Sequence, residues 1–244
     1  MNRFAIKACA DILGESLIKN LPADVQLSYY FKNNRNLGSS DRSDIAEIYY
    51  GVIRNKRLLE EIVGDAHCKK MILVYLLVLK GHSIKELSGV TDEYEIEWLV
   101  EKKKNKVHID SWPTKLSLPD WIWAKLVLYY GEEEAIAFGT SLLSPATLQL
   151  RVNSLKTMSV QEVVNEFRLS FPDEVDKIKK TELSKQGITL PRGTAIQKHP
   201  LFLEGAIEVQ EEGSQLLTLL LDVKRGHMVA DFCAGAGGKT LALS

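Results

Sequence analysis

Residues 228–243 restrict what this 244-residue chain can fold into more than any other stretch. Met228–Phe232 (MVADF) is a short apolar run that reads as a buried strand. Cys233–Thr240 (CAGAGGKT) is a glycine-rich loop, and Leu241, Ala242 and Leu243 begin a helix. Strand, glycine loop and helix in this order open a βαβ unit of a doubly wound sheet. The glycines are needed because the backbone must turn sharply and because a ligand must approach it with no Cβ in the way. The start of the next helix offers unbonded N–H groups to an anion. A strand of this kind expects neighbours on both sides and helices over both faces. The segment from about 206 is therefore expected to be only the start of its domain, and poorly stable by itself.

Three ligand classes use such a loop. A phosphate-wrapping loop reads G-x-x-x-x-G-K-[ST]; Gly238-Lys239-Thr240 fits its end, but Cys233 stands at its first glycine. A dinucleotide loop reads G-x-G-x-x-G; Gly235 and Gly237 supply the first pair, but Thr240 stands at the last position. Sites for S-adenosylmethionine share the strand–loop–helix order with a shorter glycine loop, whose amide-rich end faces a carboxylate rather than a phosphate. Neither phosphate pattern is complete, and a P-loop NTPase fragment stays open as an alternative on the residues alone.

The chain before this segment changes its hydrophobic period once. Up to about residue 112 it is helical. Ala5, Cys9, Ile12, Leu13 and Leu17 form one apolar stripe, and Ile45, Ile48, Tyr49, Val52 and Ile53 form another. Met71–Leu79 (MILVYLLVL) is apolar all round and reads as a central core helix. It is far shorter than the roughly 20 residues a membrane span needs. Ser83 with Glu86, and Ser159 with Glu162, have capping-box spacing. Lys102–Leu118 holds a basic run and Pro113 and reads as a linker or domain edge. The aromatics Trp121, Trp123, Tyr129 and Tyr130 have helical spacing and are expected in a core, with a base-stacking platform as the alternative. From Leu148 the period becomes two: Leu148, Leu150 and Val152 alternate with Gln149 and Arg151, as in a half-buried strand. Further strand-like pieces lie at 187–190 and 206–209.

Charge and cysteine content narrow the class. Lys plus Arg is 31 and Asp plus Glu is 32, a net charge of −1, which excludes a strongly basic arm. With 45% apolar and 26% charged residues the chain has the balance of a globular protein. Cys9, Cys68 and Cys233 have no metal-like spacing, and three cannot all pair, so reduced thiols are expected. Residues 147–203 carry an excess of basic side chains, a mild sign of an anionic ligand.

At this point the residues are recognisable. Asp231-Phe-Cys-Ala-Gly-Ala-Gly-Gly-Lys-Thr240 resembles the first cofactor motif of the RNA (cytosine-5) methyltransferases of the RsmB/NOP/Sun family, whose form is close to D-x-C-A-A-P-G-G-K-T. Gly235 and Ala236 stand where the family has Ala and Pro. Gly205–Leu216 is similar to the family's lead-in segment. Leu150-Arg151-Val152-Asn153 with Leu155-Lys156 is similar to its L-R-V-N-x-L-K strand, and Asp41-Arg42 through Arg54 to the helical NusB-like domain of bacterial members.

The resemblance implies a multi-domain α and α/β fold. Its parts are a helical NusB-like domain over 1–112, a small α/β RNA-contacting domain over 113–205 and the incomplete start of a Rossmann-like methyltransferase domain over 206–244. It implies S-adenosyl-L-methionine as cofactor, held by Cys233, Ala234, Gly235, Ala236, Gly237, Gly238 and Lys239. The partner is RNA, expected to be ribosomal, with its backbone held by Arg151, Lys156, Lys179 and Lys180. In the family a cysteine thiolate adds to carbon 6 of cytosine, so that carbon 5 accepts the methyl group. The family's two catalytic cysteines, and an acidic residue for the ribose, lie beyond the glycine loop. No residue through Ser244 is therefore expected to be catalytic, and these residues alone are expected to be inactive. Cys233 is read as a packing or cofactor contact rather than a nucleophile. A cytoplasmic monomer with no membrane and no metal is expected; an RNA-binding module without catalysis is the alternative.

Overall fold

The computed structural model describes residues 3–19, 21–105, 107–156 and 159–243, without the side chains of residues 17–19. Leu17 of the first stripe therefore lies outside the described side chains. The chain divides into two compact units, Met1–Ser144 and Pro145–Ser244. The structure is multi-domain and mostly helical, with one small antiparallel sheet. No helix of the described residues is long and apolar enough to cross a membrane.

The first unit is built of α1 (Arg3–Lys19), α2 (Ala23–Asn33), α3 (Ser39–Arg54), α4 (Lys56–Val63), α5 (Cys68–Val74), α6 (Ile84–Leu87), α7 (Glu93–Lys104), α8 (Trp112–Lys115), α9 (Asp120–Tyr130) and α10 (Glu132–Leu143). Helix α5 runs on into a π-helical turn, Tyr75–Leu79. Met71 through Leu77 are buried, at the centre of a core that includes Ala5, Cys9, Ile12 and Leu13 of α1 and Ile45, Tyr49 and Val52 of α3. The expected capping box forms at the start of α6, where Ser83 Oγ accepts from Glu86 N and Glu86 accepts from Ser83 N. A third, not foreseen, opens α7 through Asp92 and Glu95. Such caps satisfy backbone donors that the helix leaves unpaired at its start.

Two expectations change here. Lys102–Leu118 does not mark the edge of a compact unit, which falls between Ser144 and Pro145. Lys102, Lys103 and Lys104 close α7, where cations favour the negative end of the helix dipole. Lys102 Nζ donates to the Ile62 carbonyl at 2.8 Å. Further on, Leu58 N donates to Ser117 Oγ at 3.2 Å, and Arg57 donates to the Leu118 carbonyl at 2.6 Å and pairs with Asp120 at 2.8 Å. These bonds bind residues 117–120 to α4, so position 112 lies inside the first unit. The second change concerns α9. None of its residues is buried, and Trp121, Tyr129 and Tyr130 are 64%, 73% and 66% exposed. Helical spacing buries a stripe only where a neighbour covers it, and α9 packs chiefly against α10.

The second unit holds a four-stranded antiparallel sheet. In chain order it contains β1 (Leu148–Val152), α11 (Val160–Ser170), a 3₁₀ turn (Pro172–Lys177), β2 (Lys179–Lys180), β3 (Gly187–Leu190), α12 (Pro200–Leu203), β4 (Ile207–Val209), α13 (Glu212–Leu220) and α14 (Gly238–Leu243). The strand order is β2-β3-β1-β4. Leu150 stands opposite Ile188 on β3 and Val209 on β4. Leu150, Val152, Ile188 and Leu190 pack with Val163, Val164 and Phe167 of α11. The Ser159–Glu162 capping box forms as expected. The two-residue strand β2 was read only as a basic stretch, since Lys-Lys carries no strand pattern.

Gly51 marks where α3 meets the π-helical turn. A Cβ there would lie 2.0 Å from Tyr75 Oη and 2.3 Å from its ring carbon. Tyr75 is buried and cannot step aside freely. Overpacking of this kind costs about 1–3 kcal/mol, against a helix-propensity gain of up to about 1 kcal/mol for alanine over glycine. Gly51→Ala is therefore expected to destabilise the chain, read as a lower midpoint in urea unfolding. An unchanged midpoint would show that the tyrosine swings out without loss.

Candidate cofactor loop and basic edge

Asp231 organises the glycine loop. Its Oδ1 accepts from Cys233 N at 3.2 Å, and its Oδ2 accepts from Thr240 Oγ1 at 2.7 Å. One carboxylate thus ties the entry of the loop to the first turn of α14. Inside the loop Gly237 N donates to the Ala234 carbonyl at 2.8 Å, and Leu241 N donates to that of Gly237 at 2.8 Å. Gly235 and Gly237 have φ of +54° and +85°, the left-handed region that favours glycine. Nothing lies within 4 Å of where a Cβ on Gly237 would be, so the backbone is open to a ligand. Cys233, Ala234, Gly235, Ala236 and Lys239 are exposed, and Gly237 and Gly238 are half-buried.

Met228–Phe232 does not form the buried strand expected of it. It joins no ladder among the described residues, Phe232 lies in a turn, and Met228 and Phe232 are fully exposed. A parallel strand is buried by its neighbours, and none is among the described residues. A cavity of about 540 Å³ lies beside the loop, lined in part by Lys224, Arg225, His227, Asp231 and Thr240. The residues Cys233–Lys239 do not line it.

The four basic candidates separate. Lys179 and Lys180 form β2 at the edge of the sheet, and both are exposed. Successive side chains of a strand point to opposite faces, so the two lysines flank the edge rather than share one face. Lys156 is exposed in the turn after β1. Arg151 is only 4% exposed, and its Nη2 pairs with Glu208 at 2.5 Å. It is a buried residue of the sheet, out of reach of a phosphate. The alternation on β1 correctly puts Arg151 on the face opposite Leu150, but α13 covers that face.

Helix α13 is fixed by polar bonds that the sequence did not suggest. Glu212 N donates to Gln149 Oε1 at 2.7 Å, while Glu212 Oε1 accepts from Leu183 N at 2.5 Å and Ser184 N at 2.7 Å. Desolvation opposes ionisation of Glu212, but the amides of Ser184 and Leu183 outweigh it and hold the carboxyl below its ordinary range. Gln210 and Gln215 are buried, and Gln210 Nε2 donates to the Gly238 carbonyl at 3.1 Å. Nothing in the spacing marked them, because glutamine after a strand reads as surface.

No family model matches the chain. It is 25% identical over 266 residues to the Bacillus subtilis protein named probable ribosomal RNA small subunit methyltransferase B, covering 94% of this chain and 58% of that protein. It is 25% identical over 273 residues to ribosomal RNA small subunit methyltransferase B of Shewanella oneidensis, covering 100% of this chain and 60% of that one. The Pseudomonas syringae protein of the same name is 42% identical over 60 residues, 25% of this chain. The chain thus has low-identity homology to these methyltransferases and spans about three fifths of the first two. The crystal structure of the protein PH0851 shares the fold, with a TM-score of 0.64 and 23% identity over all of this chain and 60% of that one.

The three thiols differ in reactivity. Cys9 is fully buried, and its thiol donates to the Ile45 carbonyl at 3.3 Å. Burial pushes its pKa up to about 12. Burial also raises that of Cys68, which is half-buried, whereas Cys233 is exposed. Because the thiolate is the reactive form, iodoacetamide at pH 8 is expected to label Cys233 first, Cys68 later and Cys9 only on unfolding. Mass spectrometry of timed samples reads the order; early labelling of Cys9 would contradict its placement in the core.

Proposed function

We propose that this chain carries the RNA-holding and cofactor-loop parts of an S-adenosylmethionine-dependent methyltransferase that modifies carbon 5 of cytosine in ribosomal RNA. The observation that carries the reading is the loop 233–239, pinned at both ends by Asp231 and open at Gly237. Its support outside the structure is the low-identity homology to ribosomal RNA methyltransferases along most of the chain. In this proposal the segments 1–112, 113–205 and 206–244 correspond to the family's domains, the first helical and NusB-like and the last Rossmann-like, while the compact units of the fold divide between Ser144 and Pro145.

The residues fit the cofactor. Nothing stands where a Cβ on Gly237 would be, and Cys233–Ala236 and Lys239 are exposed on either side of it, which leaves room for a ligand. When bound, S-adenosylmethionine supplies a methyl group on a sulfonium. Residues 233–239 hold the cofactor through main-chain groups, and Asp231 keeps the loop in its left-handed turns. Lys156, Lys179 and Lys180 attract the RNA backbone; Arg151 instead braces β1 against β4. Phosphate contacts of this kind orient an RNA without reading its sequence.

Two measurements test the reading. Equilibrium dialysis of the full chain with labelled S-adenosylmethionine is expected to show binding that competes with S-adenosylhomocysteine. Asp231→Ala, which removes both pins of the loop, is expected to weaken it about tenfold or more, the scale of two lost charge-assisted hydrogen bonds. Binding of ATP with no binding of S-adenosylmethionine would transfer the loop to the phosphate class.

The second measurement is RNA affinity over a range of salt. A contact to single-stranded RNA contributes about 0.7 to the log–log slope. Lys179→Ala with Lys180→Ala is thus expected to lower the slope by about 1.4, and to do so equally for unrelated RNA sequences. An unchanged slope would remove β2 from the RNA surface.

A further inference from the structure

Gln210 follows β4 and is 6% exposed. Its main chain belongs to the sheet, because its N–H donates to the Gln149 carbonyl at 3.1 Å. Its side chain belongs to the glycine loop, because Nε2 donates to the Gly238 carbonyl at 3.1 Å. Its own carbonyl accepts from Gln215 Nε2 at 2.9 Å. Gln215 is 1% exposed; its Nε2 also donates to the Leu150 carbonyl at 3.3 Å, and its Oε1 accepts from Ser184 Oγ at 2.6 Å. A buried polar chain thus runs from β1 and the 181–186 turn, through two glutamines, to the first residue of α14. One atom in it is unsatisfied: Gln210 Oε1 is buried with no hydrogen-bond partner among the described residues.

That orphan oxygen is informative. A buried amide oxygen with no partner is unfavourable, and an apolar side chain of similar shape would avoid the loss. What only the amide supplies at this position is the donor to Gly238. We infer that Gln210 is a positioning residue: it fixes the carbonyl of Gly238 relative to the four-stranded sheet and so sets where the glycine loop presents its backbone to the cofactor. The inference deepens the cofactor reading above and rests on it for the identity of the ligand, though not for the anchor itself. Asp231 shapes the loop from within, whereas Gln210 ties it to the sheet through a side-chain hydrogen bond. A shift of Gly238 moves Gly237 with it, and Gly237 is where the backbone is open.

The test uses the full chain and two variants. Gln210→Met keeps the length and removes the donor and the orphan oxygen together. Its melting temperature is expected to equal or exceed that of the wild type, while amides of residues 233–241 exchange faster and affinity for S-adenosylmethionine falls about three- to tenfold, the scale of one hydrogen bond. Gln210→Glu keeps the shape but donates only when its carboxyl is protonated, a form that burial favours. Relative to the wild type at each pH, its affinity and loop protection are expected to recover as pH falls. A structural role alone predicts otherwise: Gln210→Met would melt lower with faster exchange throughout residues 145–244, and that result would overturn the inference. Wild-type exchange in the loop together with wild-type affinity would overturn it equally. If the wild type binds no S-adenosylmethionine but its loop protection depends on Gln210, the cofactor reading falls and the anchor stands.

Discussion

Strand β1 has no free side, and the second unit is arranged around that fact. It is bonded to β3 on one edge and β4 on the other, with α11 on one face and α13 on the opposite one. Polar groups on β1 therefore depend on partners inside the protein, and one, Arg151 Nε, is buried with none among the described residues. Gln149 is answered by Glu212 N, the Leu150 carbonyl by Gln215, and Arg151 by Glu208. Such a charge pair gains little over well-packed apolar residues, but losing one partner strands the other at a cost of about 3–5 kcal/mol. The pair therefore locks the register of β4 against β1. That register sets the start of α13 and the position of Gln210.

The same covering explains what could be read from the sequence. The central helix 71–79, the capping boxes at 83–86 and 159–162, and strands β1, β3 and β4 were legible because their signals are local. Apolar period and cap spacing report on a few neighbouring residues. Burial depends on which element comes to lie on a face, and single-sequence periodicity is silent about that. Arg151 and Tyr129 err in opposite directions for this one reason. The arginine is polar and was read as surface, but α13 covers it. The tyrosine lies on an apolar helix and was read as core, but only α10 covers α9 to any extent.

The site divides along the same line. Asp231 and the glycines of the loop are a contiguous motif, so their spacing in the sequence is their spacing in space. The polar chain of Gln149, Gln210, Gln215 and Ser184 is assembled from β1, β4, α13 and a turn. Gln149 and Gln215 stand 66 positions apart, and no local pattern singles these residues out. Likewise the basic excess of residues 147–203 was legible as a total, but its distribution was not. One of the four candidate cations went to an internal ion pair, and two went to opposite sides of an edge strand.

The loop and the segment before it make different demands. Met228–Phe232 joins no ladder among the described residues, and Met228 and Phe232 are fully exposed, an apolar surface that ordinarily marks an interaction site. The loop needs no such cover. Its turns are set by glycines at φ +54° and +85°, its ends are pinned by one carboxylate, and its exit is held to the sheet by Gln210. These restraints are all present among the described residues, and none passes through a strand that pairs with Met228–Phe232. The turns of the loop are thus set by contacts within residues 210–241. The loop, whose conformation these bonds choose, rather than the segment that introduces it, therefore carries the functional reading of this chain.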